Sequence, residues 1–179
     1  MKNTFEIEIA GCKRNLPICS VNEHLDIAAF IMFGDVEITV KCARELLKIC
    51  PEFDILATAE SKGIPLCYEM ARQSQKDYVI ARKSQKVYMK DSIYTTVKSI
   101  TTAETQKLYL SSTDIDRIKN KKVLIVDDVI STGNSIVAVE NLIEKASGKI
   151  TGKVRVLAEG NAANRKDIIF LNSLPIFEK

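Results

Sequence analysis

A chain of 179 residues, 46 % hydrophobic and 27 % charged, carries enough apolar side chain for one buried core and needs neither disulfides nor a structural metal to hold it. Its net charge of +3 is too mild to point to nucleic acid, although it suits an anionic small ligand if lysines and arginines converge on one site. The five cysteines are odd in number and form no C-x-x-C pair, which argues against a disulfide framework or zinc site and for a reducing cytoplasm.

Residues 5–9 alternate charged and apolar side chains and predict a strand, with Leu16-Pro17-Ile18 as its extension to a sheet edge. Residues 1–9 have no signal-peptide core, and no apolar run is long enough to span a membrane. Gly34-Asp35 opens a helix whose apolar positions Val36, Val40, Ala43, Leu46 and Leu47 recur at helical spacing, and Pro51 stops it. Residues 53–59 (FDILATA) are a short apolar run, as expected of a buried parallel strand. Glu60-Ser61-Lys62-Gly63 is a turn, Pro65 starts the next helix, and residues 78–81 (YVIA) are the next strand.

Residues 82–113 are rich in Lys, Ser, Thr and Tyr, alternate weakly at 86–89 and 107–110, and predict a long flexible hairpin loop over about 84–110. Residues 123–126 (VLIV) form a third buried strand, 134–146 a helix that Gly148 caps, and 154–157 a fourth strand. The last apolar stretch, 168–177, reads as an edge strand or hairpin. The alternation predicts one α/β domain with a mainly parallel sheet flanked by helices. The terminal segments, about 1–33 and 160–179, fall outside that alternation and are expected to form a small hood.

The strongest chemical signal is residues 123–135, VLIVDDVISTGNS. A buried strand leads to Asp127 and Asp128, an apolar step follows, and Ser131-Thr132-Gly133-Asn134-Ser135 runs into a helix. Backbone N–H groups at a helix start bind phosphate, Gly133 allows close approach, and Ser131, Thr132 and Ser135 add hydroxyl donors. Two carboxylates beside an anion site would repel a bare phosphate, but they suit a ligand that presents ribose hydroxyls there. The Gly-Lys-Ser/Thr ending of a P-loop is absent.

This segment resembles the phosphoribosyl pyrophosphate motif of type I phosphoribosyltransferases. The resemblance implies that Asp127 and Asp128 hold the ribose 2- and 3-hydroxyls and that Ser131 to Ser135 bind the 5-phosphate. Glu60-Ser61-Lys62-Gly63 resembles the family's pyrophosphate loop. Arg82-Lys83 resembles a pair found in adenine and xanthine phosphoribosyltransferases and in the related bacterial purine repressor, and Ser92-Ile93-Tyr94 resembles the Ser-x-Tyr of the adenine enzyme's flexible loop. Two departures stand out. Thr95-Thr96-Val97-Lys98 replaces the Glu-Tyr-Gly stretch of the adenine enzymes, and Ser131 replaces an Asp credited with base chemistry in hypoxanthine-guanine enzymes.

The implied reaction displaces pyrophosphate from ribose C1 by a ring nitrogen of a purine, without an enzymic nucleophile. Mg²⁺ is the implied cofactor, bridging substrate oxygens with Asp127 and Asp128 as indirect partners. Arg82, Lys83 and Lys86 would steady the pyrophosphate, Tyr94 would act from the hairpin, and the hairpin would close over the site. His24, the only histidine, has no accompanying motif and is read as structural or exposed. Glu159 aligns with the residue that faces the base. Because a carboxylate only accepts, it favours adenine, with a 6-oxopurine enzyme or a non-catalytic purine-sensing regulator as alternatives. The resemblance further implies a homodimer, while the cysteines, the mild charge and the lack of a long apolar run predict a cytoplasmic protein that binds no nucleic acid and no membrane.

Overall fold

The computed structural model describes residues 4–98 and 105–179. The chain opens with a hairpin, β1 (Thr4–Ile9) and β2 (Cys12–Asn22), followed by β3 (Leu25–Ala28). Ala10 and Gly11 turn the hairpin with φ of 51° and 73°, the doubly left-handed geometry that matches strand twist. The expected extension at Leu16-Pro17-Ile18 is thus the middle of a separate strand running back along the first.

Next comes α1 (Val36–Ile49), whose N-cap Asp35 accepts the Ile38 N–H at 3.2 Å. Arg14 of β2 grips Asp35 at 2.7 Å and Glu37 at 2.9 Å, tying hood to helix. The core layer continues with β4 (Ile55–Ala59), α2 (Ile64–Ser74, with Pro65 in its first turn) and β5 (Asp77–Ala81). β6 (Ile93–Lys98) and β7 (Thr105–Leu110) form the antiparallel excursion. The chain then runs through α3 (Ser112–Ile118), β8 (Lys122–Ile130), α4 (Asn134–Lys145), β9 (Lys149–Glu159), a 3-10 turn, β10 (Ile169–Leu174) and β11 (Ile176–Glu178).

Five parallel strands lie in the order β10-β9-β8-β4-β5. Side chains alternate between two cores. Leu56, Leu124, Val126, Val154 and Val156 face α1, α2 and the hood, whereas Ile55, Ala57, Val79, Val123 and Ile125 face α3 and α4. Burying each such aliphatic contributes about 1.5–3 kcal/mol, so truncating fully buried Leu124 to Ala should cost roughly 2–5 kcal/mol. The chain moves outward from β4 to β5, then restarts on the other side of β4 with β8 and moves outward through β9 and β10. The direction of winding therefore reverses between β4 and β8, and ligands in such sheets bind beyond the strand ends at that point.

Several boundaries differ from expectation for identifiable reasons. β8 runs through Asp127 and Asp128 to Ile130 because Val129 and Ile130 pair with Leu157 and Ala158 of β9. The excursion ends at Leu110. That is the expected end, and Ser111 and Asp114 directly beyond it form a reciprocal capping box that starts α3, a helix not anticipated there. Residues 86–89 are a turn rather than a strand, closed by Met89 N–H to Lys86 O at 2.9 Å, with the Met89 side chain buried. The excursion's described stems are also held. Leu108 and Leu110 join the α4 core, and Arg82 exchanges two backbone hydrogen bonds with Tyr109 at 2.8 and 2.9 Å. Its tip, residues 99–104, lies outside the described residues.

At the end of α4 the left-handed residue is Ser147 (φ 58°), not Gly148. Ser147 N–H bonds Glu144 O and Gly148 N–H bonds Ile143 O, a complete Schellman closure. Gly148 serves packing instead, because a Cβ there would fall 2.5 Å from Ile118 and 2.8 Å from Ile143. Of the stretch 160–179 assigned to the hood, β10 is the edge strand of the main sheet and only β11 joins β1-β2-β3, pairing with β3. His24 is exposed. Among the described residues no helix is long and apolar enough to cross a membrane.

Candidate active site

The carboxyl ends of β4, β8 and β9 open into a cavity of about 440 Å³, roofed by residues 27–31 of the hood. That volume suits a nucleotide-sized ligand. Glu60, Ser61 and Lys62 line it after β4, Asp127, Asp128, Ser131 and Ser135 along and after β8, Glu159 at the end of β9, and Lys83 after β5. Residues scattered over a hundred positions thus converge where the sheet reverses its winding.

Asp127 and Asp128 sit side by side with backbone support. Asp128 N–H donates to Asp127 Oδ1 at 3.0 Å, and Val129 N–H to Asp128 Oδ1 at 2.8 Å. Asp128 is only 4 % exposed, and its Oδ2 is buried with no hydrogen-bond partner. Burial, and then the charge of Asp127, pushes the Asp128 carboxyl up to about 7. A buried acceptor left unpaired in the free protein is the signature of a site that expects a donor, such as a ribose hydroxyl.

Behind the acids lies a residue the sequence reading passed over. Arg155 of β9 pairs in register with Asp127, is 2 % exposed, and donates to Val154 O at 2.7 Å and Ile125 O at 3.4 Å. Burial lowers its pKa, while Asp127 and Asp128 pull it back up, so the guanidinium is the counter-charge beneath the pair. The available signal was an arginine directly before the apolar run Val156-Leu157-Ala158.

The loop after β4 is locked. A Cβ on Gly63 would overlap Thr58 Oγ1 and fall 2.7 Å from Asp127 Oδ1 and 3.0 Å from Asp127 Cα, so only glycine lets this loop lie against the acids. Glu60 accepts the Lys83 N–H at 2.9 Å and stands 3.7 Å from Arg82, which fastens the loop to the end of β5. Burial raises the pKa of both Asp128 and Glu159, and the charge of Lys62 partly offsets the rise in each.

The loop after β8 is open by contrast. Ser131, Thr132 and Ser135 are exposed, and Gly133, the N-cap of α4, takes φ 83° and has no side chain to cap the helix. A Cβ on Gly133 would fall 2.5 Å from Arg165 Nη1. Arg165 is held there by Asp167, bonded through Nε at 3.0 Å and Nη2 at 2.8 Å, and Lys153 bridges Asp167 to Glu140 of α4 at 2.7 Å each. Nη1, the remaining edge of the guanidinium, therefore stands at the glycine of the loop.

Other expected residues are not brought to the cavity wall. Lys86 donates to Ser84 Oγ at 2.8 Å, and Tyr94 is half-exposed, stacked against Tyr109 at 5.8 Å with Lys107 Nζ 4.7 Å over its ring. Arg82 reaches Tyr88 Oη at 3.2 Å and does not line the cavity. Thr132, Gly133 and Asn134 belong to the loop but not to the wall.

Asp127 and Asp128 offer hard oxygen ligands and one unpartnered oxygen, while the described residues hold no cluster of three or more metal-type ligands. Such a donor set fits Mg²⁺ arriving with substrate oxygens.

A family model described as the phosphoribosyl transferase domain matches residues 37–175. The chain belongs to the type I phosphoribosyltransferase family. Within this phosphoribosyltransferase family, a protein of Methanothermococcus okinawensis named hypoxanthine/guanine phosphoribosyltransferase is 38 % identical over 120 residues, 66 % of this chain and 62 % of that protein. A Methanotorris igneus protein of the same name is 37 % identical over 107 residues, 60 % of this chain and 55 % of its own length. The match thus spans less than two thirds of these relatives. In fold the chain is similar to adenine phosphoribosyltransferases from Thermoanaerobacter pseudethanolicus (TM-score 0.68, 20 % identity, 95 % of each chain) and Saccharomyces cerevisiae (TM-score 0.66, 17 % identity, 94 % of this chain and 93 % of that one).

Proposed function

We propose that this phosphoribosyltransferase transfers the 5-phosphoribosyl group from phosphoribosyl pyrophosphate to a 6-oxopurine, hypoxanthine or guanine, releasing pyrophosphate. The observation that carries the transfer is the buried, unpartnered Asp128 oxygen beside Asp127 at a cavity flanked by two anion-type loops. The base assignment moves away from adenine. Relatives at 31–38 % identity bear the hypoxanthine/guanine name, whereas the adenine enzymes resemble the chain in fold at 20 % identity or less.

In this reading Asp127 and Asp128 accept the ribose hydroxyls, and the N–H groups of 131–135 with Arg165 Nη1 hold the 5-phosphate. Lys62 and Lys83 line the leaving-group side, with Arg82 behind them. A ring nitrogen of the base forms the new bond to C1 as the C1–O bond breaks; the C1–O electron pair leaves with pyrophosphate, and the proton that the nitrogen carried is released to water. Asp127 and Asp128 would hold Mg²⁺ by way of substrate oxygens, and the ion would supply positive charge opposite the leaving group. Tyr94 and Lys86 would join only if the excursion folds inward. Five free cysteines support a reducing cytoplasm, and exposed Phe33, Val36 and Tyr68 support a homodimer surface.

The test is nucleotide formation from phosphoribosyl pyrophosphate and Mg²⁺ with hypoxanthine, guanine, xanthine, adenine and orotate separately. Turnover of hypoxanthine or guanine supports the reading. Turnover of adenine alone overturns the base assignment. Tight phosphoribosyl pyrophosphate binding without turnover of any base would replace the enzyme by a regulator.

A further inference from the structure

Every acid on the cavity wall but one has a visible task. Glu60 braces Lys83, Asp127 accepts the Asp128 N–H, and Asp128 accepts the Val129 N–H. The Glu159 carboxylate has no hydrogen bond and no ion pair among the described residues. It ends β9 opposite Leu174 of β10, half-buried, where the cavity meets the apolar hood residues Ile27 and Phe30. A carboxylate accepts and never donates, and one withdrawn from water with no donor nearby costs free energy until a ligand supplies one. Ile27, Phe30 and Val129 on the same cavity wall give apolar surface that suits a flat heterocycle presenting an edge to the carboxylate.

We infer that Glu159 reads the donor edge of guanine, taking N1–H and the 2-amino group on its two carboxylate oxygens, and so makes guanine the preferred base. This inference rests on the 6-oxopurine reading and adds a residue and a ranking to it. Guanine presents two adjacent donors that match the two oxygens of a carboxylate, a forked pairing like that of arginine with carboxylates. Hypoxanthine offers only N1–H. Xanthine offers N1–H beside a C2 carbonyl that would face the negative charge. Adenine has no donor on that edge, since its N1 is an acceptor. Burial shifts the Glu159 carboxyl upward, and the charge of Lys62 partly offsets that shift toward the ionised form this pairing needs.

The experiment measures kcat/KM for guanine, hypoxanthine, xanthine and adenine with phosphoribosyl pyrophosphate and Mg²⁺, in the parent and in Glu159→Gln. In the parent, guanine should exceed hypoxanthine by roughly tenfold and xanthine by more, the usual penalty for an unpaired polar group in a closed site. Glu159→Gln should lower the guanine value by roughly 10- to 100-fold. It should also raise xanthine relative to guanine, because an amide can accept N1–H and donate to the C2 carbonyl. A purely structural role predicts a uniform loss and no gain for xanthine. If 6-oxopurines react but the guanine to xanthine ratio is unchanged in the variant, the inference is overturned and the 6-oxopurine reading stands. If adenine alone reacts in the parent, that reading falls and the inference with it. Should Glu159→Gln fail to fold by thermal melting, the parent's ranking decides, and xanthine at or above guanine overturns the assignment.

Discussion

The loops after β4 and β8 serve one cavity but are built on opposite plans. The first is jammed against the sheet, with Gly63 against Thr58 and Asp127 and Glu60 anchored to the start of the next loop. The second stands free, with exposed hydroxyls, a left-handed glycine and a single arginine at its apex. The difference teaches that one loop is specified by tertiary packing and the other by local chain chemistry. A leaving group and its counter-charges need a fixed wall, whereas a phosphate needs only a ring of donors.

Substituting the two glycines should expose this contrast most strongly. Gly63→Val drives side-chain atoms into the backbone of Asp127, so thermal melting should show a loss of about 2–4 kcal/mol together with loss of substrate binding. Gly133→Val meets only the tip of Arg165 and an unfavourable φ. It should therefore cost about 1–2 kcal/mol of stability while removing 5-phosphate binding. Equal destabilisation by both would break the comparison.

Asp128 offers a sharper probe. Its folded pKa, raised from 3.8 to about 7, means that between those values the folded state keeps a proton that the unfolded chain releases. The free protein's stability should therefore fall as pH rises through that window. Asp128→Asn should abolish that fall and stabilise the ligand-free protein at pH 8 by on the order of 2–4 kcal/mol, with little effect near pH 4. A melting temperature equal to the parent's at pH 8 would show that the carboxylate is not held under strain in the free protein. The smallest effect belongs to Arg165→Ala. Loss of one charge-assisted contact should weaken ribose 5-phosphate binding by roughly tenfold, with phosphate-free ligands unaffected.

The same division explains what could be read from the residues. The 131–135 loop was legible because strand, acids, glycine and helix start are contiguous, and short-range chemistry defines its conformation. The parallel order was legible from apolar runs such as VLIV alternating with helical patterns. The reason Gly63 is glycine was not, since its neighbours Thr58 and Asp127 come from two strands. Arg155 was missed because a buried arginine looks like a break in an apolar strand until register sets it beside Asp127. The Ala10-Gly11 hairpin and the Ser111–Asp114 capping box were local signals inside stretches given a single coarse reading. The roles of Lys86 and Tyr94 came from resemblance, and the structure brings neither to the cavity wall.

The central claim is that Asp127 and Asp128 form the ribose end of a phosphoribosyl pyrophosphate site. Its most direct test is calorimetric titration of phosphoribosyl pyrophosphate with Mg²⁺ into the parent and into Asp127→Asn/Asp128→Asn, with circular dichroism to verify folding. The account predicts a folded double variant whose affinity has dropped at least about a hundredfold, the loss of two charge-assisted hydrogen bonds of roughly 1.5–3 kcal/mol each. A folded double variant that binds as tightly as the parent would contradict it.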